Sequence, residues 1–287
     1  MGDKSAYRVF RIRKANGKGW RELLEPNPEL KEKQRHILTW LMAHQLRPSP
    51  YAHGFVKDRS IVTNAAFHVG KKVIVRIDIH NFFPSITKRQ IVAALIKEGI
   101  LPKDAEEIAE LCTVCDHLPQ GAPTSPFLSN IVFKETDYRL AGLSHKWKPA
   151  RRKPVTYSRY ADDLVFSSNF ERLNLIIHPV KAILKDAGFE MNPEKTLVLR
   201  FSNRQTVTGI VVNSKPNIMR FERRILRAKL YNIKKAFLNG EKPQYDSSSI
   251  AGTIAYYRSV NPLVGERFKR DLKEIQNLQT LVDKFVS

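Results

Sequence analysis

The chain has 287 residues, 42% of them hydrophobic, enough to bury a sizeable core in one large domain or in lobes sharing a cleft. Its 49 Lys and Arg against 28 Asp and Glu leave a net charge of +21, far beyond what solubility needs, and a field of that sign concentrates polyanions, nucleic acid first. There is no run of about 18 apolar residues and no amphipathic basic helix at the amino end, which argues against a membrane partner. The charged opening MGDKSAYRVFRIRK carries no signal-peptide pattern and two cysteines build no disulfide framework, so the expected location is the cytoplasm.

FRIRKANGKGWRELLEP predicts two short strands joined by a Gly-containing turn, followed by a polar helix over 28–45. A helical segment runs through Asn64 to His68, and KKVIVRIDI then reads as an apolar strand ending at Asp78. TKRQIVAALIKEGI and DAEEIAELCTVC have helical periodicity, and LPQGAPTSP is a Gly/Pro turn leading into the helix SNIVFKETDYRLAGL. A loop with the basic run 148–153 comes next. VTYSRYADDLVFSS predicts a β-hairpin with Ala161, Asp162 and Asp163 at its tip. A helix over 173–187 precedes the turn NPEK and the strand TLVLRF, and TVTGIVVN is read as one further strand. The remaining third is helical and basic: between Lys215 and Lys235 only Glu222 offsets eight Lys or Arg residues.

Cys112 and Cys115, with His117 behind them, have the look of half a zinc site. A structural site needs four ligands and no second pair has the spacing, so two buried thiols are expected there.

Phosphoryl transfer from a nucleoside triphosphate needs two divalent ions about 4 Å apart, one activating the attacking hydroxyl and one neutralising the leaving pyrophosphate. Magnesium takes one or two protein carboxylates beside phosphates and water, so two or three converging Asp residues suffice. Asp78 at a strand end and Asp162 with Asp163 on a hairpin converge if their strands are neighbours. An Asp pair at a hairpin tip is by itself more often a solvated turn. Here the pair lies between apolar strands, after a strand-end Asp, FFPS and a QGAPTSP turn.

In that order RIDIHNFFPS, LPQGAPTSP, YADDLVFS, GFEMNPEKT and a closing strand resemble the reverse transcriptases over nearly the whole chain. The resemblance implies an α+β right-hand polymerase: fingers over 1–75 with 88–118 returning to them, a palm of antiparallel sheet plus helices over 76–213, and a helical thumb over 214–287. It implies two Mg2+ ions, with Mn2+ as substitute, on Asp78, Ile79, Asp162 and Asp163, the first and third of these being the principal carboxylates. Phe83, five residues after Asp78, matches a steric gate that rejects a ribose 2′-hydroxyl. Gln120 matches a residue lying against the incoming nucleotide, and Arg21 a triphosphate clamp that Lys14 and Lys18 assist. Lys195 matches a general acid for pyrophosphate, and backbone at Ile79 and His80 lines the triphosphate site. The acidic residue often found shortly after the first catalytic Asp is here replaced by His80 and Asn81.

NAAFH, with Asn64 and His68, and the VTG of Val207, Thr208 and Gly209 make the chain similar to retron reverse transcriptases. In that family the VTG strand and the thumb bind stem-loops of a cognate structured noncoding RNA, which fits Arg223, Arg224 and Arg227 in the basic segment. The implied activity is priming from an RNA 2′-hydroxyl and copying of part of that RNA, from deoxynucleoside triphosphates, into a branched RNA–DNA product (msDNA), in antiphage defence with a separate effector protein. The alternatives are a group II intron-like or CRISPR-associated enzyme extending a 3′ primer, an RNA-dependent RNA polymerase, and a noncatalytic RNA-binding scaffold.

Overall fold

The computed structural model describes residues 4–13, 19–147, 153–241, 245 and 247–286. The roles expected of Lys14 and Lys18, and most of the basic loop 148–153, lie outside the described residues. The chain forms two compact units, Met1–Ser60 with Lys71–Arg200, and Ile61–Gly70 with Phe201–Ser287.

The first unit opens on an antiparallel hairpin, β1 (Tyr7–Arg13) and β2 (Trp20–Pro26), with Tyr7 opposite Pro26 and Arg13 opposite Trp20. Helix α1 (Pro28–Ala43) starts where Asn27 accepts from the Leu30 amide at 2.9 Å and proline occupies the first turn, where its missing N–H costs nothing. After α2 (Ile61–Ala66), which belongs to the second unit, comes β3 (Val73–Ile79), apolar on both faces except for Arg76 and Asp78. A short helix α3 (Phe82–Ser85) and the longer α4 (Lys88–Lys97) and α5 (Pro102–Cys112) follow. A capping box starts α4, the Thr87 hydroxyl accepting from the Gln90 amide while the Gln90 side chain accepts from the Thr87 amide.

Then come α6 (Ser125–Val132), α7 (Lys134–His145), the hairpin β4 (Thr156–Tyr160) and β5 (Asp163–Ser168), α8 (Ile177–Asp186) and β6 (Met191–Arg200). The four strands form one antiparallel sheet in the order β4-β5-β3-β6. β3 is central and continuous with the core: Ile77, Leu95, Leu128, Phe133, Leu140, Phe166 and Leu184 share one buried cluster. Cys112 is buried, and its thiol is pushed up to about 12 by that burial, which makes it an inert packing group. Cys115, expected to be buried as well, is exposed, because the chain turns there with positive φ at both Cys115 and Asp116.

In the second unit β7 (Thr206–Val207) and β8 (Ile210–Val211) make a minimal hairpin. It packs on α2, the Thr208 hydroxyl donating to the Ile61 carbonyl at 3.0 Å and the Gly70 amide to the Val212 carbonyl at 3.0 Å. Helices α9 (Arg220–Leu238), α10 (Ser247–Val260) and α11 (Pro262–Val286) complete it. Leu226, Leu230 and Ile233 give α9 a buried stripe at helical spacing, and Gly265 lets α10 and α11 approach so closely that an added Cβ would lie 2.5 Å from the Arg258 backbone.

The mixed α+β class agrees with expectation, and four local expectations need correction. The helix expected from Ser129 begins at Ser125 and is broken at Phe133 into α6 and α7. The helix over 173–187 opens as a 3-10 turn at Leu173–Ile176. NPEK is no free turn: it lies inside β6, where Ile77 alone on β3 faces residues 193–196, because Arg76 pairs with Leu197 and Asp78 with Asn192. β6 is the sheet edge, so Pro193 withdraws no donor from a ladder on both sides. TVTGIVVN is a hairpin rather than one strand, since Thr208 and Gly209 both have positive φ, 45° and 84°, the backbone of a tight two-residue turn.

Candidate active site

The carboxylates are brought together by strand register. Asp78, the penultimate residue of β3, stands directly opposite Asp163, the first residue of β5. The Ile79 amide donates to the Asp162 carbonyl at 3.1 Å, which ties the hairpin tip to the end of the central strand. On the other side of β3, Asp78 is paired with Asn192, and the bulge beyond it carries Lys195 back so that its Nζ lies 3.0 and 3.1 Å from the two Asp78 oxygens. Arg76 Nη2 lies 3.7 Å from Asp163 Oδ1.

Asp162 and Asp163 resist ionisation. Burial first, then the charges of Asp163 and Asp78, push Asp162 up to about 6 although Lys195 opposes them. Asp163 is raised by burial and by Asp78, against the pull of Arg76. Among the described residues no three His, Cys, Asp or Glu side chains are already gathered as a metal cage. The donor set still fits a hard divalent cation: it is all oxygen, its mutual repulsion is relieved by positive charge, and Asp78 and Asp163 are each held by a basic side chain standing where a cation would compete.

The hairpin tip itself is strained and clamped. Ala161 has φ 55°, a region that glycine usually fills. Arg159 Nη1 donates to its carbonyl at 3.1 Å, and the Gly54 backbone presses on it so tightly that a Cβ there would sit 2.7 Å from the Ala161 nitrogen. Arg159 is fully buried, forked onto Asp137 at 2.9 and 2.7 Å and lying over the Phe133 ring. Tyr157 and Ser49 also donate to Asp137, each at 2.7 Å, so this buried pair has its remaining valences filled. Arg159, Asp137, Arg76 and Gly54 were missed by sequence reasoning. The signal available was a charged residue at position 159 in a strand of β-formers, two places before the tip.

The other expected residues fall into groups. Phe83 is partly exposed on α3, behind Asn81, whose φ of 46° turns the chain sharply after β3. His80 is exposed and its amide donates to the Glu190 carbonyl at 2.8 Å, while the Ile79 side chain is buried. Arg21 is exposed on β2, opposite Ile12. Three residues further along β2, the Leu24 amide donates to the Gln120 carbonyl at 2.8 Å, so the hairpin rests on the QG turn that carries Gln120. Gly121 has φ 127° and an added Cβ would meet the Leu24 oxygen at 2.9 Å.

The residues expected to bind RNA all lie in the second unit. Asn64, His68 and Val207 are buried there, so their side chains shape the α2–hairpin contact and offer no surface, whereas Thr208 is half-buried and Gly209 exposed at the turn. Arg224 and Arg227 are exposed on α9. Arg223 is half-buried, with its Nε shielded from solvent and near Tyr257, so it differs from the other two.

A family model described as reverse transcriptase (RNA-dependent DNA polymerase) matches residues 12–236. The chain is 37% identical to the Retron Mx65 reverse transcriptase of Myxococcus xanthus over 93% of its own length and 64% of that relative's. It is 31% identical to the Retron Ec86 reverse transcriptase of Escherichia coli over 79% and 70%. It thus spans less than two thirds of the first relative. Among solved structures it resembles apo telomerase from Candida tropicalis (TM-score 0.54, 11% identity, 97% of this chain and 57% of that one). It also resembles a foamy viral protease-reverse transcriptase in complex with double-stranded DNA (TM-score 0.51, 18% identity, 96% and 44%). Those identities speak for the fold alone. A fold of that kind, with aspartates in register across β3 and β5 and curated retron sequences aligned along most of the chain, means that this protein belongs to the retron reverse transcriptase family.

Proposed function

We propose that this protein is an RNA-directed DNA polymerase that copies part of a cognate structured noncoding RNA into single-stranded DNA, primed from an RNA 2′-hydroxyl. The observation that carries the reading is the placement of Asp78 opposite Asp163, with the Asp162 carbonyl bonded to the Ile79 amide, in a chain of this family. Fingers over 1–75 and 88–118, palm over 76–213 and thumb over 214–287 are the subdomains of that reading.

Asp78 and Asp162, supported by Asp163, would hold two Mg2+ ions, with the Ile79 backbone as a further contact; Mn2+ would substitute. When bound, such ions lower the pKa of the attacking hydroxyl and neutralise charge on the leaving pyrophosphate. Everything else is done by the chain. The ammonium of Lys195, released from Asp78, is the proton donor for pyrophosphate. Arg21 grips the triphosphate with its planar fork, Gln120 lies against the nucleotide, the backbone at Ile79 and His80 lines the site, and the Phe83 ring excludes a 2′-hydroxyl. Thr208 and Gly209 at the hairpin turn, with Arg224 and Arg227 on α9, read the shape and phosphates of the RNA.

The bacterial relatives favour a bacterial setting, and among the described residues no helix is long and apolar enough to cross a membrane. A cytoplasmic location and a defence role with a separate effector belong to the same reading, carried by the family resemblance alone. The test is to express the protein from its native locus and sequence the copurifying nucleic acid with and without debranching enzyme, with Asp162→Ala, Asp163→Ala as control. One discrete DNA joined 2′–5′ to one RNA, absent from the double variant, is expected. DNA without a branch would replace the retron reading by that of a primer-extending enzyme, and identical nucleic acid from both proteins would end the catalytic reading.

A further inference from the structure

Between α1 and α2 the segment from Ser49 to Arg59 runs along the outside of β4 and is fastened at unusually many points. The Arg159 amide donates to the Tyr51 carbonyl at 2.8 Å and the His53 amide to the Arg159 carbonyl at 2.7 Å, so the segment adds a short parallel bridge to the edge of the catalytic hairpin. Asn130 Nδ2 donates to the Gly54 carbonyl at 2.9 Å, Arg59 Nη1 to the Ala52 carbonyl at 2.6 Å, and Gly54 abuts Ala161. This anchoring places the next residue, Phe55, by reference to the hairpin tip itself.

Phe55 breaks two rules of local structure at once. Its φ is 60°, in the left-handed region, where a Cβ is disfavoured and where glycine or asparagine is the usual choice. The glycine of this loop is its neighbour, Gly54, whose smallness is used for close approach and not for a positive φ. Nor is the Phe55 ring core: it is 48% exposed. A bulky aromatic held out of the core in a strained backbone, by surroundings that determine it from several sides, is the kind of outlier that marks function. Its ring partner is Phe83, at 6.1 Å between centroids and tilted by 55°. Phe83 is itself only partly buried, and it also meets Phe82 edge-on at 5.5 Å.

We infer that Phe55 is a positioning residue for sugar selection: its ring backs Phe83 and holds that ring in the one orientation that leaves no room for a ribose 2′-hydroxyl. The inference rests on the reading of Phe83 as the gate. A phenyl ring on a four-residue helix can move between staggered χ1 rotamers unless its neighbours select one. Phe82 and Phe55 are both ring neighbours of Phe83, while Gly54 and Arg159 tie Phe55 to the catalytic tip.

The experiment is single-nucleotide incorporation by the full chain on an RNA template with an annealed primer. It compares the ratio of kcat/KM for a deoxynucleotide over the matching ribonucleotide in wild type, Phe55→Ala, Phe55→Gly, Phe55→Tyr, Phe83→Ala and the Phe55→Ala, Phe83→Ala pair. Removing the aromatic brace should lower that ratio by roughly three- to tenfold in Phe55→Ala and Phe55→Gly. Phe55→Tyr should keep it, Phe83→Ala should lower it further, and the pair should match Phe83→Ala because Phe55 then has nothing to hold. Phe55→Gly guards against misfolding, since glycine suits φ 60° and its melting temperature should not fall below that of Phe55→Ala. An unchanged ratio in Phe55→Ala beside a lowered one in Phe83→Ala overturns the brace and leaves the gate standing. Equal losses for both sugars would assign Phe55 to the template or primer, also overturning it. An unchanged ratio in Phe83→Ala removes the gate and the brace together.

Discussion

Asp162 is the residue at which folding and chemistry oppose each other most directly. Its carboxyl, raised from 3.8 to about 6, is charged at neutral pH in a place that disfavours charge. In the unfolded chain the same group ionises near the ordinary value, so the cost is fully present above pH 6, declines as pH falls from 6 towards 4, and is gone below the unfolded value, where both states are protonated. With metal chelated at pH 7.5, Asp162→Asn should therefore be the more stable protein, by up to about 3 kcal/mol. The gap should close as pH is lowered to 4, as measured by denaturant titration at several pH values. Adding Mg2+ should raise the midpoint of wild type and leave that of the variant nearly unmoved.

Arg159 poses the reverse case, since its charge is buried, paired and fully bonded. Arg159→Met would strand the Asp137 carboxylate in the core and should cost about 3–5 kcal/mol. Arg159→Lys keeps the charge but cannot both fork onto Asp137 and reach the Ala161 carbonyl. That variant should fold with a smaller loss and still show reduced kcat with a nearly unchanged KM for nucleotide, because the strained tip loses its hold. Equal loss of kcat and stability across both variants would assign the pair to folding alone. Legibility at this scale followed chain distance. Asp162 and Asp163 declare themselves as neighbours between apolar strands, whereas Arg159 acquires meaning only from Asp137, and Phe55 only from Phe83, partners 22 and 28 positions away that no local pattern ties to them.

Among the elements, most strands and helices of the first unit were legible because apolar periodicity and capping residues agree, as at KKVIVRIDI and at the Thr87 box. The errors share a cause. The sequence divides β6 at NPEK because proline reads as a turn, and only the sheet order shows that it sits at an edge where a bulge can absorb it. TVTGIVVN reads as one strand because Thr208, β-branched and with φ 45°, is an improbable turn residue, held there by its hydroxyl on the Ile61 carbonyl, 147 positions away. The β1–β2 hairpin is the element whose attachment can be tested alone. Gly121→Ala would place a Cβ 2.9 Å from the Leu24 oxygen at a φ of 127° and should cost roughly 2 kcal/mol or more. Because the hydrogen bond it disturbs joins the strand of Arg21 to the turn of Gln120, KM for nucleotide should rise several-fold more than kcat falls. A change in melting temperature without that split would mean that the hairpin contributes stability only.

Across the whole molecule, composition pointed to a polyanion, and the positions of the ion pairs show which charges remain for it. Lys97 is engaged by Glu135 and Lys33 by Glu29, so part of the basic surface is already neutralised within the protein. On α9 the exposed Arg224 and Arg227 lie among exposed Phe221, Ile225 and Tyr231, an alternation of cations and apolar or aromatic groups suited to a backbone and its unpaired bases. What sequence alone did not convey is that the segment around Asn64 and His68 folds into the same unit as these helices, since the chain leaves that unit for 130 residues before returning. If α9 carries the nucleic acid, each arginine–phosphate pairing removed should reduce the slope of log K against log salt by about 0.7 to 0.9. Arg224→Gln with Arg227→Gln should thus flatten it by about 1.5 and weaken binding of unrelated RNAs as much as that of the copurifying one. Lys97→Gln, which removes an equal charge from a residue already paired, should leave the slope where it was. Should the Lys97 variant flatten the plot as much as one α9 arginine does, binding would follow from the net charge of the protein and not from a built surface on that helix.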